Sequence, residues 1–300
     1  MGLIFVLIAA LLAALSNLLL RISVGVGGSS KGYLAIQVMV SCLVMILLNP
    51  IRMQDFSIYV PAVALGCVGG FILGVFFWGL GKTLEKGPAG LSIAVLNASS
   101  IMPALVLAVC FGEAFGHVLT RFHGMGFILV TVGIFWAGWT SEYNPHKRQW
   151  AIFALLMFAC HALYLIFLQW WAMVLNPELS LTKLLPFHIN TTHIQWFMPA
   201  IFFVAGLFQW IVFIKQEKRF PVRHELMYGL IGGVATGICS YFLILAPQIS
   251  APWENALLFP VFTVGVLVFC NLWAVRLYKE KVNWKACSLC IVGLLLGMMR

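Results

Sequence analysis

Ten long apolar runs dominate this chain, and each approaches or exceeds the length needed to cross a bilayer. They lie at 2–24, 32–49, 58–82, 88–112, 120–140, 149–174, 194–215, 225–247, 253–276 and 283–299. A bilayer core takes about 20 consecutive apolar residues per helix. The runs are continuous rather than alternating with period two, which predicts helices and not the strands of a barrel. Only 9% of residues are charged and 62% are hydrophobic, against roughly 25% charged in a soluble domain. No water-facing surface can be made from that composition. The expectation is an all-α integral membrane protein, multi-pass, surrounded by membrane lipid and placed in the cell (inner) membrane. The first run has no basic segment before it and no small-residue cleavage site near Ser16, Asn17 and Arg21. It reads as a retained helix, not a signal peptide. The longest polar break, 175–193, has room for a short interfacial helix.

A repeat organises these runs. GCVGGFILG (66–74) and GLIGGVATG (229–237) share glycine at the first, fourth, fifth and ninth positions, 163 residues apart. The first lies early in run three and the second early in run eight. A five-run unit used twice must be inverted, because five crossings leave the chain on the opposite side. The prediction is ten transmembrane helices as two inverted five-helix repeats, 1–146 and 147–300. Gly66, Gly70 and Gly74, and likewise Gly229, Gly233 and Gly237, fall on one helix face, where a neighbouring backbone can approach closely. Inverted repeats around a midplane site recur among transporters.

Fourteen of the 18 Lys and Arg residues flank the odd-numbered connections. The positive-inside rule then puts those connections in the cytoplasm and both termini outside. The net charge of +9 is read as a topogenic signal, and no nucleic-acid partner is expected. The eight cysteines fall within apolar runs, as buried thiols do, rather than forming a disulfide framework. Cys287 and Cys290 form a C-x-x-C without a second ligand pair. His188 and His193 lie in the polar break without further ligands. Neither predicts a metal, and no cofactor is expected. Asn190-Thr191-Thr192 fits a glycosylation sequon.

Two segments carry a resemblance. LEKGPAGLSIAVLNASSIMPALVLAVCFGEAFG has a mid-helix Pro103 and closes on Gly112-Glu113. LFPVFTVGVLVFCNLWAVRLYKEKVNW has Phe259-Pro260, a small Gly265 and a closing Lys279-Glu280-Lys281. Gly126 and Gly293 each follow their glutamate by 13 residues. These resemble the fourth and ninth helices of the drug/metabolite transporter superfamily in its ten-helix EamA-type form. The resemblance implies a bundle of two inverted halves, a central cavity, and alternating-access movement of a small organic solute. It implies structural roles for Glu113 and Glu280. That family is most often drawn with both termini in the cytoplasm, opposite to the charge count here.

Polar side chains within spans are expensive and need a partner or a task. His161, near the middle of run six, is the candidate for binding and for taking and releasing a proton. The alternative is a neutral histidine bonded between helices. Tyr164 lies one turn on, on the same face. Asn97, mid-run four, offers donor and acceptor to a polar solute or to another helix, and Ser99, Ser100 and Pro103 follow it. The 163-residue offset carries Trp78 onto Tyr241, so both could stack on a solute from opposite halves, or simply fill a core. Asn17 and Gln37 are weaker candidates. Glu85 and Glu254 fall at run ends, where Glu254 could bind solute or a proton. Without a phosphate-binding loop or an intramembrane nucleophile–base pair, an enzyme is disfavoured. The sequence points to secondary transport of a small-molecule substrate. A lipid-carrier flippase and a non-transporting scaffold remain alternatives, and pairing of two copies through runs five and ten stays open.

Overall fold

The computed structural model describes residues 2–86, 89–112, 120–138, 147–175, 193–251, 254–255, 257–279 and 283–297. These form eleven α-helices, with no strand among the described residues. They are α1 (Gly2–Gly25), α2 (Ser30–Ile46), α3 (Val60–Lys86), α4 (Ala89–Ser99), α5 (Met102–Phe111), α6 (Arg121–Gly138), α7 (Lys147–Val174), α8 (Phe197–Glu217), α9 (Arg223–Ile249), α10 (Leu258–Tyr278) and α11 (Trp284–Gly297). Seven of them are long and apolar enough to cross a membrane, and shorter apolar helical stretches lie at Val95–Phe111, which includes the junction of α4 with α5, Arg121–Trp136 and Trp284–Leu296. Large apolar side chains face outward all around, among them Leu43, Val60, Val109, Ile128 and Leu155. An outer surface of that kind suits lipid, so the chain is a multi-pass membrane protein by its helices and its exterior alike.

Local sequence explains where the helices bend and stop. Pro50 has no N–H and would clash with the carbonyl four residues back. The end of α2 accordingly widens into one π-helical turn, Leu47–Ile51, and Asn49 Nδ2 donates to Met45 O at 2.9 Å. Run four is two helices, broken at Ser100 and Ile101. The helix of run nine starts at Leu258 and not at 253; ahead of it, Glu254 N bonds Ala251 O and Leu257 N bonds Glu254 O, both at 2.9 Å.

The glycine stripes are contact surfaces. α3 packs on α7 and α8, α9 packs on α1 and α2, and α2 faces α8. A Cβ placed at Gly70 would lie 2.5 Å from Ile201 O of α8, and one at Gly233 would lie 2.6 Å from Gln37 O of α2. Each stripe thus brings two helix backbones together where no other residue fits. A second reciprocal pair joins α6 to α11. A Cβ at Gly293 would meet Gly126 O at 2.9 Å, and one at Gly133 would meet Cys290 Sγ at 2.6 Å. Runs five and ten therefore pack on each other within the chain, while Ile128, Val132, Phe135, Ile291 and Leu295 remain exposed. The two motif glycines, Gly126 and Gly293, touch.

Charge is concentrated at one end of the bundle. Lys82 and Lys31 both reach Glu85 at 2.9 Å, and Lys31 also approaches Glu217 at 3.5 Å. Arg219 pairs with Glu217 at 3.3 Å and with Glu225 at 2.6 Å. The fully buried Glu225 carboxylate also accepts from Ser29 N at 2.6 Å and Val222 N at 2.8 Å. It holds the Arg219 guanidinium above its ordinary pKa. One chain of charges thus ties α2, α3, α8 and α9 together. The other end is held more lightly. His193 Nδ1 lies 3.0 Å from Asp55 Oδ2, and Trp196 Nε1 donates to Phe56 O at 3.3 Å.

Candidate functional site

The sharpest feature is the break between α4 and α5. Ser99 Oγ donates to Leu96 O at 2.5 Å, a local bond that competes with the helix ladder. Ser100 N and Ile101 N then make short turn bonds to Asn97 O and Ala98 O, at 3.1 and 3.2 Å. Pro103, in the first turn of α5, has no N–H to offer the Ser99 carbonyl. The helix unwinds there because two local preferences agree.

His161 of α7 sits against this break. Its Nδ1 lies 2.5 Å from Ser99 Oγ, and its ring stacks on Phe76 of α3 with centroids 4.6 Å apart. Asn97 is buried one residue pair before the break, and Tyr164 is buried one turn beyond His161. Of the predicted positions, Ser99 and His161 are therefore brought into contact between α4 and α7, with Phe76 of α3 on the ring; Asn97 and Tyr164 are buried on the same two helices close by in sequence. With its one hydrogen given to Leu96 O, the Ser99 hydroxyl accepts from His161 Nδ1–H in the matching tautomer, which leaves the other ring nitrogen, Nε2, to accept a hydrogen bond or a proton.

Trp78 and Tyr241 are not brought together. Trp78 lies near the charged end, in a small recess with Lys31, Phe77, Lys82, Glu85 and Gln209, and packs edge-on against Phe153 at 5.7 Å. Tyr241 accepts from Arg52, whose guanidinium also lies 5.5 Å from the ring centroid. Lys31 and Arg52 stand at opposite ends of α2 and its π turn, roughly 30 Å apart at 1.5 Å per residue. The two aromatics thus lie toward opposite ends of the bundle, and the offset that matches them in sequence does not bring them to one site.

Glu254 is buried ahead of α10, where its Oε2 accepts from Ala251 N at 3.1 Å. Gln37 belongs to a buried polar knot: its Nε2 donates to Ser16 Oγ at 3.0 Å and Thr236 Oγ1 at 2.7 Å, and Tyr33 OH donates to Ser16 O at 2.9 Å. That knot joins α1, α2 and α9 and is bonded throughout. Glu85 is an element of the charged chain. Glu113, Glu280, His188 and the Asn190 sequon lie outside the described residues. No group of three or more His, Cys, Asp or Glu suited to a metal occurs among the described residues, and the cysteines there are unpaired thiols.

Two features were missed by sequence reasoning. The charged chain draws residues from positions 31, 82, 85, 217, 219 and 225, three separate stretches that only the packing of α2, α3, α8 and α9 joins. The pair Gln169 of α7 and Asn255, both buried and joined by a hydrogen bond, carries no motif.

No protein-family model matches this chain. No curated protein matches it either. Solved structures do match: one crystal structure, whose description gives no function, superposes with a TM-score of 0.73 at 15% identity, over 99% of this chain and 98% of that one. At that identity the likeness is one of fold.

Proposed function

We propose that this protein is a secondary transporter that moves a small organic solute across a membrane by alternating access, in the manner of the drug/metabolite transporter superfamily. The observation that carries the proposal is the interrupted span α4–α5 with His161 against its break. Unwound segments inside spans are tolerated where they line a site, and transporters build substrate and ion sites on such half-helices.

The packing pattern supports two inverted five-helix halves. Exchange α1 with α7, α2 with α8, α3 with α9, α4–α5 with α10, and α6 with α11. The α1–α9 contact then becomes α7–α3, and α2–α9 becomes α8–α3. The α1–α10 contact becomes α7 with α4 and α5, while α2–α8 and α6–α11 map onto themselves. The glycine contacts follow the same exchange: Gly66 faces Phe197 O and Gly229 faces Tyr33 O. Such an arrangement lets one half rock against the other across the α2–α3–α8–α9 core. The charged chain closes one end, and Asp55 with His193 and Arg52 with Tyr241 close the other. Solute would enter between these ends and meet Asn97, Ser99, His161 and Tyr164. His161 is the proton-coupling candidate.

Thiol labelling at Ser99→Cys, in a background lacking the eight native cysteines, tests the proposal. Membrane-impermeant reagent applied to each side in turn should reach position 99 from both, since alternating access exposes the site to both. Labelling from neither side, in folded protein, would refute it.

A further inference from the structure

We infer that Gln169 of α7 and Asn255, ahead of α10, form a subsite for the amide edge of a neutral solute, meaning an N–H donor beside a carbonyl acceptor on an apolar body. The inference takes the protein to bind a transported solute, and so rests on the function proposed above.

Gln169 Nε2 donates to Asn255 O at 3.1 Å, which fixes its amide and turns Oε1 away from that bond. Gln169 Oε1, Asn255 Oδ1 and Asn255 Nδ2 are all buried and have no hydrogen-bond partner. The side chains are 1% and 0% exposed. Buried amides left unbonded are rare in folded proteins, and each calls for an explanation. Here three unmet positions sit on two neighbouring residues. Two accept and one donates. A primary carboxamide offers the complement, two N–H and one C=O.

The surroundings narrow the guest further. Both amides are neutral, so a fully charged head group would be buried without a counter-charge from the pair, at a large cost. The residues that follow them in the chain, Trp171, Leu257 and Leu258, are buried in one apolar cluster with Phe197 and Phe259. An amide carried on an aromatic or aliphatic body fits that combination. The subsite lies near the end of α7 remote from the charged chain, apart from the α4–α5 break.

The test uses the full chain in lipid nanodiscs, with calorimetric titration by benzamide and by methyl benzoate, which keeps the carbonyl and loses both N–H groups. Benzamide is expected to bind at least tenfold more tightly than the ester. Asn255→Leu is expected to abolish that preference while melting no lower than the parent, because the leucine removes two unbonded atoms. If Asn255→Leu does not fold, Asn255→Asp replaces it. That variant should shift preference from benzamide to benzylamine, whose ammonium pairs with the new carboxylate. Equal binding of amide and ester by the parent, or amide preference retained in the variant, overturns the inference. Amide binding without flux in proteoliposomes would count against transport alone. Flux without amide preference would count against the subsite alone.

Discussion

Replacing Gly70 by alanine is the cleanest probe of the close helix contacts. The added Cβ would stand 2.5 Å from Ile201 O, 2.8 Å from Val204 Cβ and 3.1 Å from Ile201 Cα. Ordinary carbon contacts begin at about 3.5 Å. The obstacle is α8 backbone, not the tip of a flexible side chain, so α8 must retreat by roughly 1 Å or α3 must tilt. Overpacking of this kind costs about 1–3 kcal/mol. At about 2–4 °C per kcal/mol for domains of a few hundred residues, the melting temperature in detergent should fall by about 2–12 °C. Gly81 is an internal control on the same helix, since a Cβ there meets nothing within 4 Å. Gly81→Ala should be neutral or stabilise by up to about 1 kcal/mol, the difference in helix propensity. Gly233→Ala should behave like Gly70→Ala, because its Cβ would stand 2.6 Å from Gln37 O. Equal melting temperatures for Gly70→Ala and Gly81→Ala would refute the close approach of α3 to α8.

Three further outcomes are expected. Lys31→Gln removes both Lys31 contacts, to Glu85 and Glu217. These pairs are partly exposed, so stability should change by about 0.2–1 kcal/mol, while thiol labelling at position 34 rises several-fold; unchanged labelling would show that the charged chain does not close that end. Glu225→Gln loses charge-assisted bonds from Arg219, Ser29 and Val222. It should destabilise by about 2–3 kcal/mol, toward the low end for a buried pair because Arg219 stays in contact with water. A loss under about 0.5 kcal/mol in chemical unfolding would contradict that. The hydrogen bond from His193 and the Ser57 N–H hold the Asp55 carboxyl below its ordinary range. A lowered carboxylate pKa favours the joined state at pH values above that range, and the preference is lost as pH falls through the lowered value. Carbon NMR of Asp55 should show a depressed midpoint that returns toward about 3.9 in His193→Ala; an unmoved midpoint would remove the link.

Much of the framework was legible because lipid imposes a simple rule on sequence. A span must be apolar and about 20 residues long, so each apolar run holds α-helix among its described residues, and seven helices are long enough to cross a membrane; the shared glycine spacing correctly marked the close contacts of α3 and α9. The break in run four could be anticipated from Pro103, but its position could not: the helix ends four residues earlier, where Ser99 Oγ turns back onto Leu96 O. His161 was legible as a lone ionisable group within a span, whereas its partners Ser99 and Phe76 depend on how α4, α7 and α3 pack. Asn255 falls within run nine by its apolar neighbours, whereas the helix itself begins only at Leu258. Trp78 and Tyr241 show the limit of repeat arithmetic, which finds equivalent positions and says nothing of their separation.

Transport itself is tested most directly by reconstitution. Purified protein in proteoliposomes would be offered a whole-cell metabolite extract, with and without a proton gradient, and the lumen analysed by mass spectrometry. The account predicts selective, saturable uptake of one compound class, with a pH dependence that His161→Gln removes. Folded protein that takes up nothing under either condition would contradict it.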